Sequence, residues 1–301
     1  MNCPLCGSQV TIQLEIIQGI QLERLYLRLT GVSFGYLLNQ DISQMLCEKC
    51  GLIFFDPMIT GDEAFYASLQ KIDWYYMTNK KEYQYAKQFI TSTDKVLDVG
   101  SGKGAFAKLL STSNYVGLDL SVGAKELAKE NGVLIQNETI QEHACKNAEK
   151  YDVVCSFQVL EHVSNPFEFI EAQLKALKRN GLLIIAVPSE NSFLRYVVNG
   201  ALNMPPHHVT RWCDKSLEHI AMLFNLDLLE IHHEKVEELH KVWYLSTLIQ
   251  NSLLAPKLID ESLTRKVISN CAGLAARVLK KGLKDELLPY GHTVIYVYRK
   301  R

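Results

Sequence analysis

The sequence predicts a doubly wound, mostly parallel α/β sheet of seven strands, preceded by a small module marked by paired cysteines. Three observations carry this. From about residue 94, short apolar runs alternate with helical patterns, as in a parallel sheet covered by helices on both faces. The run 95–99 passes straight into glycines and then a helical pattern, the layout of a ligand-binding turn at a strand's carboxyl end. The first 55 residues hold a Cys-x-x-Cys pair at each end, with strand-like alternation such as Val10-Thr11-Ile12-Gln13-Leu14 between them.

The strands are read at 95–99, 115–119, 133–136, 152–157 and 182–187, with helical patterns at 105–110, 122–130 and 166–177. Two late strands, 226–235 and 293–298, enclose a helical, partly apolar segment at about 237–290; the final strand is expected to be antiparallel. Core packing is the first reading of that segment; a substrate lid, a homodimer surface or a contact for a lipid-linked substrate are the others. Residues 56–92 are aromatic and polar, with Trp74, Tyr75, Tyr76, Tyr83 and Tyr85, and helical spacing through 80–90. The expected division is a module at 1–55 and a main domain at 56–301.

Composition bounds the function. The 301 residues are 48% hydrophobic and 22% charged, ordinary for a globular chain. Thirty-two basic against 33 acidic residues give a net charge of −1, with no global drive toward nucleic acid or acidic membranes. No signal-peptide run opens the chain. The longest apolar stretch, 242–259, is interrupted by Ser246, Thr247, Gln250, Asn251 and Pro256, so no transmembrane segment is expected. The remaining cysteines, Cys145, Cys155, Cys213 and Cys271, are scattered as unpaired thiols are in a reducing compartment. A cytoplasmic enzyme is the expectation.

Cys3-Pro4-Leu5-Cys6-Gly7 and Cys47-Glu48-Lys49-Cys50-Gly51 are two Cys-x-x-Cys-Gly knuckles. Each turns two thiolates to one side, and together they complete a tetrahedral four-sulfur set. The glycine after each second cysteine lets the backbone bend so that amides reach the sulfurs. Cys3, Cys6, Cys47 and Cys50 are therefore candidate ligands of a structural zinc ion, against disulfides or spare thiols as the alternative.

Val96-Leu97-Asp98-Val99-Gly100-Ser101-Gly102-Lys103-Gly104 reads as strand, glycine turn and helix. Its glycines also satisfy a dinucleotide fingerprint, and Asp119 stands where a carboxylate grips ribose hydroxyls. Asp98 decides between ligands: a carboxylate two residues before the first glycine repels a pyrophosphate and favours a cation. The segment resembles motif I of class I S-adenosylmethionine-dependent methyltransferases. Gly117-Leu118-Asp119-Leu120-Ser121 is similar to their second motif, and residues 151–163 and 180–188 to their fourth and fifth strands with the flanking loops. That resemblance implies that Asp98, Gly100, Gly102, Asp119, Leu120 and Gln158 bind S-adenosylmethionine, with 138–140 beside the adenine.

Methyl transfer needs an aligned acceptor and, for a hydroxyl, a base. His162 follows Glu161 at the end of the fourth strand, where ligands bind in open sheets. Met204-Pro205-Pro206-His207-His208-Val209-Thr210-Arg211-Trp212 resembles a segment of bacterial small-molecule methyltransferases, and Asp214 is the expected cap of the next helix. His162, His207 and His208 are the candidate catalytic residues; capping or packing is their bland alternative. His232 and His233, adjacent in a strand, must face opposite ways. A four-cysteine module before this fold also resembles sugar C-methyltransferases, which carry a further C-terminal domain. The expected reaction is methyl transfer to a small molecule, a sugar or glycan-precursor hydroxyl. The rivals are an RNA base methyltransferase, which the balanced charge argues against, a non-catalytic cofactor-binding module and a dehydrogenase.

Overall fold

A computed structural model describes residues 1–72, 80–121, 132–284, 286 and 288–301. Trp74, Tyr75, Tyr76 and the helix expected at 122–130 lie outside the described residues.

The described residues build two sheets. The first begins with β1 (Thr11–Ile17), β2 (Ile42–Cys47) and β3 (Ile53–Asp56), antiparallel neighbours in the order β1-β2-β3. A helix unforeseen in the sequence, α1 (Gly19–Thr30), separates β1 from β2. Leu22, Leu25 and Tyr26 recur at helical spacing on its buried face, and Gly31 ends it in a left-handed turn with φ 73°. Phe65 and Leu69 of α2 (Glu63–Leu69) join that apolar cluster; Asp62 caps α2 by accepting from the Phe65 amide. α3 (Lys81–Ala86) follows.

The second sheet is the expected seven-stranded one. Its strands are β4 (Val96–Val99), β5 (Tyr115–Leu118), β6 (Ile135–Gln136), β7 (Tyr151–Phe157), β8 (Leu177–Pro188), β10 (Leu226–Lys235) and β11 (Tyr290–Lys300); the two-residue β9 (Thr210–Arg211) lies elsewhere. The order is β10-β11-β8-β7-β4-β5-β6, parallel from β8 to β6, with β11 antiparallel to both neighbours. α4 (Ile140–Lys146), α5 (Pro166–Ala176) and α6 (Asp214–Leu223) flank it. The late segment forms α7 (Lys241–Leu253) and α8 (Leu263–Leu279).

Two local expectations need correction. The stretch 105–110 forms only a single 3-10 turn, Ala107–Leu109. Asp214 does not cap α6: Cys213 does, through a reciprocal arrangement with Ser216, and Asp214 is the first helical residue. Its carboxylate instead stands 3.2 Å from His233 Nε2. His233 stacks on Tyr290 and His232 on Tyr85, which spends both rings on packing.

β9 pairs with β3, matching Ile53 to Arg211 and Phe54 to Thr210. The cysteine module thus takes its fourth strand from the connection between β8 and β10. The two sheets also share one apolar core, in which Cys3, Leu5, Cys47, Cys50 and Leu52 pack with Leu160, Trp212 and Leu217.

Candidate functional site

The four cysteines of the knuckles converge. Cys3 and Cys50 Sγ lie 3.6 Å apart, as do Cys6 and Cys47 Sγ, and all four sulfurs fall within 4.8 Å of one another. Sulfurs bound about 2.3 Å from a tetrahedral ion are separated by about 3.8 Å, so the set fits one. Gly7 and Gly51, at φ 67° and 79°, close the knuckles by donating their amides to the Cys3 and Cys47 carbonyls. With sulfur at all four positions, no place remains for water or substrate. The cluster is tied to α6, where Lys215 Nζ donates to the Glu48 carbonyl and Cys213 Sγ to that of Gly51.

The glycine turn leaves β4 at the sheet's carboxyl edge. Gly100, Gly102 and Gly104 all have positive φ, at 77°, 53° and 71°. A Cβ at Gly100 would stand 2.3 Å from Val159 Cγ2, so that glycine lets the turn press on the loop after β7. Around Gly102 nothing lies within 4 Å of such a Cβ: the turn is open there. Asp119 braces it, one oxygen accepting from the Gly102 amide and the other from Ser121, each at 2.8 Å. Each carboxylate oxygen keeps a second lone pair for a hydroxyl donor. Leu120, 67% exposed, stands at the rim.

Asp98 lies deeper than the sequence implied, only 2% exposed. Its Oδ2 accepts from the Tyr115 hydroxyl at 2.7 Å; Oδ1 has no hydrogen-bond partner among the described residues. Burial pushes its pKa up to about 7, against the lowering effect of the Tyr115 hydrogen bond. A cation beside Oδ1 would relieve that buried acceptor, and a phosphate would not. Burial also raises Asp119. The 138–140 segment is spent on structure: Glu138 pairs with His143 at 2.7 Å, Thr139 caps α4 in a capping box with Glu142, and Ile140 is buried.

Gln158, the first residue past β7, has φ 58° and anchors its amide on the Ala186 carbonyl. It lines a cavity of about 800 Å³ whose walls come from α1 (Leu25, Leu29), α7 (Trp243) and the 194–202 segment. His207 and His208 line it too, and His162 lies against them, with ring centroids 4.6 and 4.9 Å away. His162 Nδ1 meets the His207 carbonyl at 2.5 Å, His207 Nδ1 the Leu202 carbonyl at 2.8 Å, and His208 Nδ1 the Asn203 Oδ1 at 3.2 Å. A second cavity of about 710 Å³ lies between α7 and α8, away from the glycine turn.

Over residues 74–231, just over half of the 301-residue chain, the sequence matches the family described as a methyltransferase domain. The chain belongs to the class I methyltransferases. Ubiquinone biosynthesis O-methyltransferases of Salmonella paratyphi A and Salmonella newport are each 35% identical to it over 114 residues, which is 35% of this chain and 47% of theirs. The chain thus spans about half the length of the curated relatives it matches. A SAM-dependent methyltransferase of Archaeoglobus fulgidus shares the fold at a TM-score of 0.52 and 17% identity, covering 79% of this chain and 100% of that one.

The structure brings this methyltransferase's three candidate histidines together and adds residues that the sequence did not single out. Glu161, 1% exposed, points between His162 and His208; burial raises its pKa to about 8. Burial likewise lowers His162 to about 4 and holds His207 and His208 well below the usual imidazole value, so all three rings are neutral. Tyr66 packs on His162 and His207, and Glu82 and Glu234 line the cavity's other end. The Glu161-His162 pair was the one signal for the first of these; the others join only through the fold. Arg211 and Trp212 of the proline–histidine motif are structural, Arg211 bonding to Glu190 at 2.5 Å and Trp212 donating to Thr210. Among the described residues, no helix is long and apolar enough to cross a membrane.

Proposed function

We propose that the chain transfers the methyl group of S-adenosylmethionine to a hydroxyl oxygen of a small molecule. One observation carries this: a single loop joins the two halves of the site. Val159 packs on Gly100 of the glycine turn, Gln158 faces the cavity, and His162 heads the histidine cluster. S-adenosylmethionine supplies an electrophilic methyl group on a cationic sulfur. Asp98 supplies a buried acceptor oxygen suited to a cation, Gly102 an open backbone surface, Asp119 a carboxylate for ribose hydroxyls, and Leu120 an apolar rim. Gln158 marks the passage to the acceptor. His162, His207 and His208 then meet the acceptor hydroxyl, whose proton leaves through the cavity to water.

Five leucines, one valine and one tryptophan share the cavity walls with three basic and three acidic side chains. The apolar side chains suit an acceptor with an apolar body, and the charged ones suit polar groups attached to it. The O-methyltransferase activity named for the Salmonella relatives supports oxygen as the methylated atom. We further assign a structural zinc ion to Cys3, Cys6, Cys47 and Cys50, and read 1–55 as its module and 56–301 as the methyltransferase domain, with 237–290 as a helical insertion.

Calorimetric titration with S-adenosylmethionine and with NAD is the test. Heat and a thermal shift with the first, and neither with the second, are expected. Silence toward S-adenosylmethionine would end the proposal.

A further inference from the structure

We propose that Glu161, His162, His207 and His208 bind a divalent transition-metal ion at the inner end of the acceptor cavity, and that this ion takes the acceptor oxygen. The second half rests on the methyl-transfer reading above; the first stands without it.

One ring nitrogen from each of the three histidines lies within 4.8 Å of those of the other two. Each ring is oriented alike: an oxygen acceptor holds Nδ1, from Leu202, Asn203 and the His207 carbonyl respectively for His207, His208 and His162. In His162 and His208, donation from Nδ1 leaves the lone pair on Nε2, which is how metal-bound histidines are fixed by their outer shell. His162 Nε2 and His208 Nε2 then converge, 3.8 and 3.9 Å from the same oxygen, Glu161 Oε1. The His207 ring stacks on His208 at 4.5 Å and 20°, with its Nδ1 held in the same sense.

That arrangement sets lone pairs against a carboxylate oxygen. Neither oxygen of the buried Glu161 has a partner among the described residues, and at 3.8 and 3.9 Å neither histidine Nε2 is close enough to bond it. A positive centre between them satisfies all the groups together. Nitrogens ligating one ion at about 2.1 Å stand roughly 3.0–3.4 Å apart, so the present spacing closes by at most about 2 Å as the ion seats. The part-exposed His162 ring gives the cluster room to adjust.

Three imidazoles and one carboxylate suit zinc, iron, cobalt or nickel, a harder donor set than the four thiolates of the first module. His207 and His208 border the cavity, so the ion's remaining positions open toward the acceptor. A hydroxyl bound there is acidified. Its proton passes to water in the cavity, its oxygen forms the bond to the methyl carbon, and the carbon–sulfur electrons stay with sulfur.

The experiment uses the 301-residue chain dialysed to one zinc per chain and titrated with Co2+, followed by calorimetry and visible absorption. One cobalt per chain is expected to enter with a nitrogen/oxygen-type spectrum and to raise the melting temperature. His208→Ala and Glu161→Gln should weaken it by at least about tenfold. His162→Ala, at a less buried position, makes the same test where either of those fails to fold. Cobalt entering only with thiolate charge-transfer bands, or binding as tightly to folded His162→Ala or Glu161→Gln, overturns the proposal. S-adenosylmethionine is titrated into the same samples. Its failure to bind would sink the methyl-transfer reading and leave the ion result standing.

Discussion

Phe54 of β3 pairs with Thr210 of β9, two residues beyond His208. Through this pairing the cysteine module holds the histidine loop in register: the backbone that follows His207 and His208 is a strand of the module's own sheet. Structure at the chain's start therefore reaches the chemistry in its second half.

Replacing Cys3 and Cys6 together by serine should abolish zinc binding and lower the melting temperature by about 10 °C, on the scale of a lost structural metal. Methyl transfer should fall far more than S-adenosylmethionine affinity, because the glycine turn belongs to the other sheet. Elemental analysis, thermal unfolding and calorimetry read the three effects. Equal loss of cofactor affinity and turnover would contradict the coupling through β9.

Asp119→Ala should weaken S-adenosylmethionine binding by about 1–3 kcal/mol, the scale of a lost hydrogen bond to a charged group. The Gly102 and Ser121 amides lose their acceptor in the same change, so thermal stability should fall as well. Unchanged affinity would remove Asp119 from the cofactor site.

Asp98 makes cofactor affinity depend on pH. With its pKa raised to about 7, the carboxyl is mostly protonated at pH 6 and mostly charged at pH 8. A cationic ligand selects the charged form, so affinity should rise with pH, by about tenfold across that window, and level off above it. Asp98→Asn should flatten the profile. Tyr115→Phe removes the hydrogen bond that favours the charge and should move the midpoint upward. A pH-independent wild-type affinity would refute the assignment.

Gly100→Ala combines a left-handed backbone, φ 77°, with a contact at 2.3 Å to Val159. A cost of about 1–3 kcal/mol is expected, measured by denaturant unfolding. Adding Val159→Ala should recover the steric part and leave the backbone part.

Glu190→Ala should cost about 3–5 kcal/mol, since it strands the guanidinium of Arg211, 4% exposed at its side chain. Replacing both residues by apolar ones of similar size should cost less than the single change. Urea midpoints for the three variants decide it.

Local patterns made much of this legible in the sequence. All seven strands of the main sheet, the Asp98–Gly104 turn and the cysteine knuckles announce themselves through alternation or fixed spacing. Pairings between distant segments do not. Thr210 and Arg211 carry no mark of belonging beside Phe54 and Ile53, and Glu190 none of meeting Arg211. Between the knuckles, strand-like alternation masked α1, whose apolar spacing became readable only once Leu22, Leu25 and Tyr26 had a surface to cover. Glu161 stood in plain view beside His162. Its significance comes from losing all solvent, which no linear pattern encodes.

α1 contributes Leu25 and Leu29 to the cavity wall facing Trp243 of the late helices. Under the proposed function, acceptor selectivity would be divided between these two segments, with the glycine turn between them in the chain. Exchanging the first 55 residues with those of a divergent homologue would retune which molecules are accepted and leave untouched the turn that grips the methyl donor.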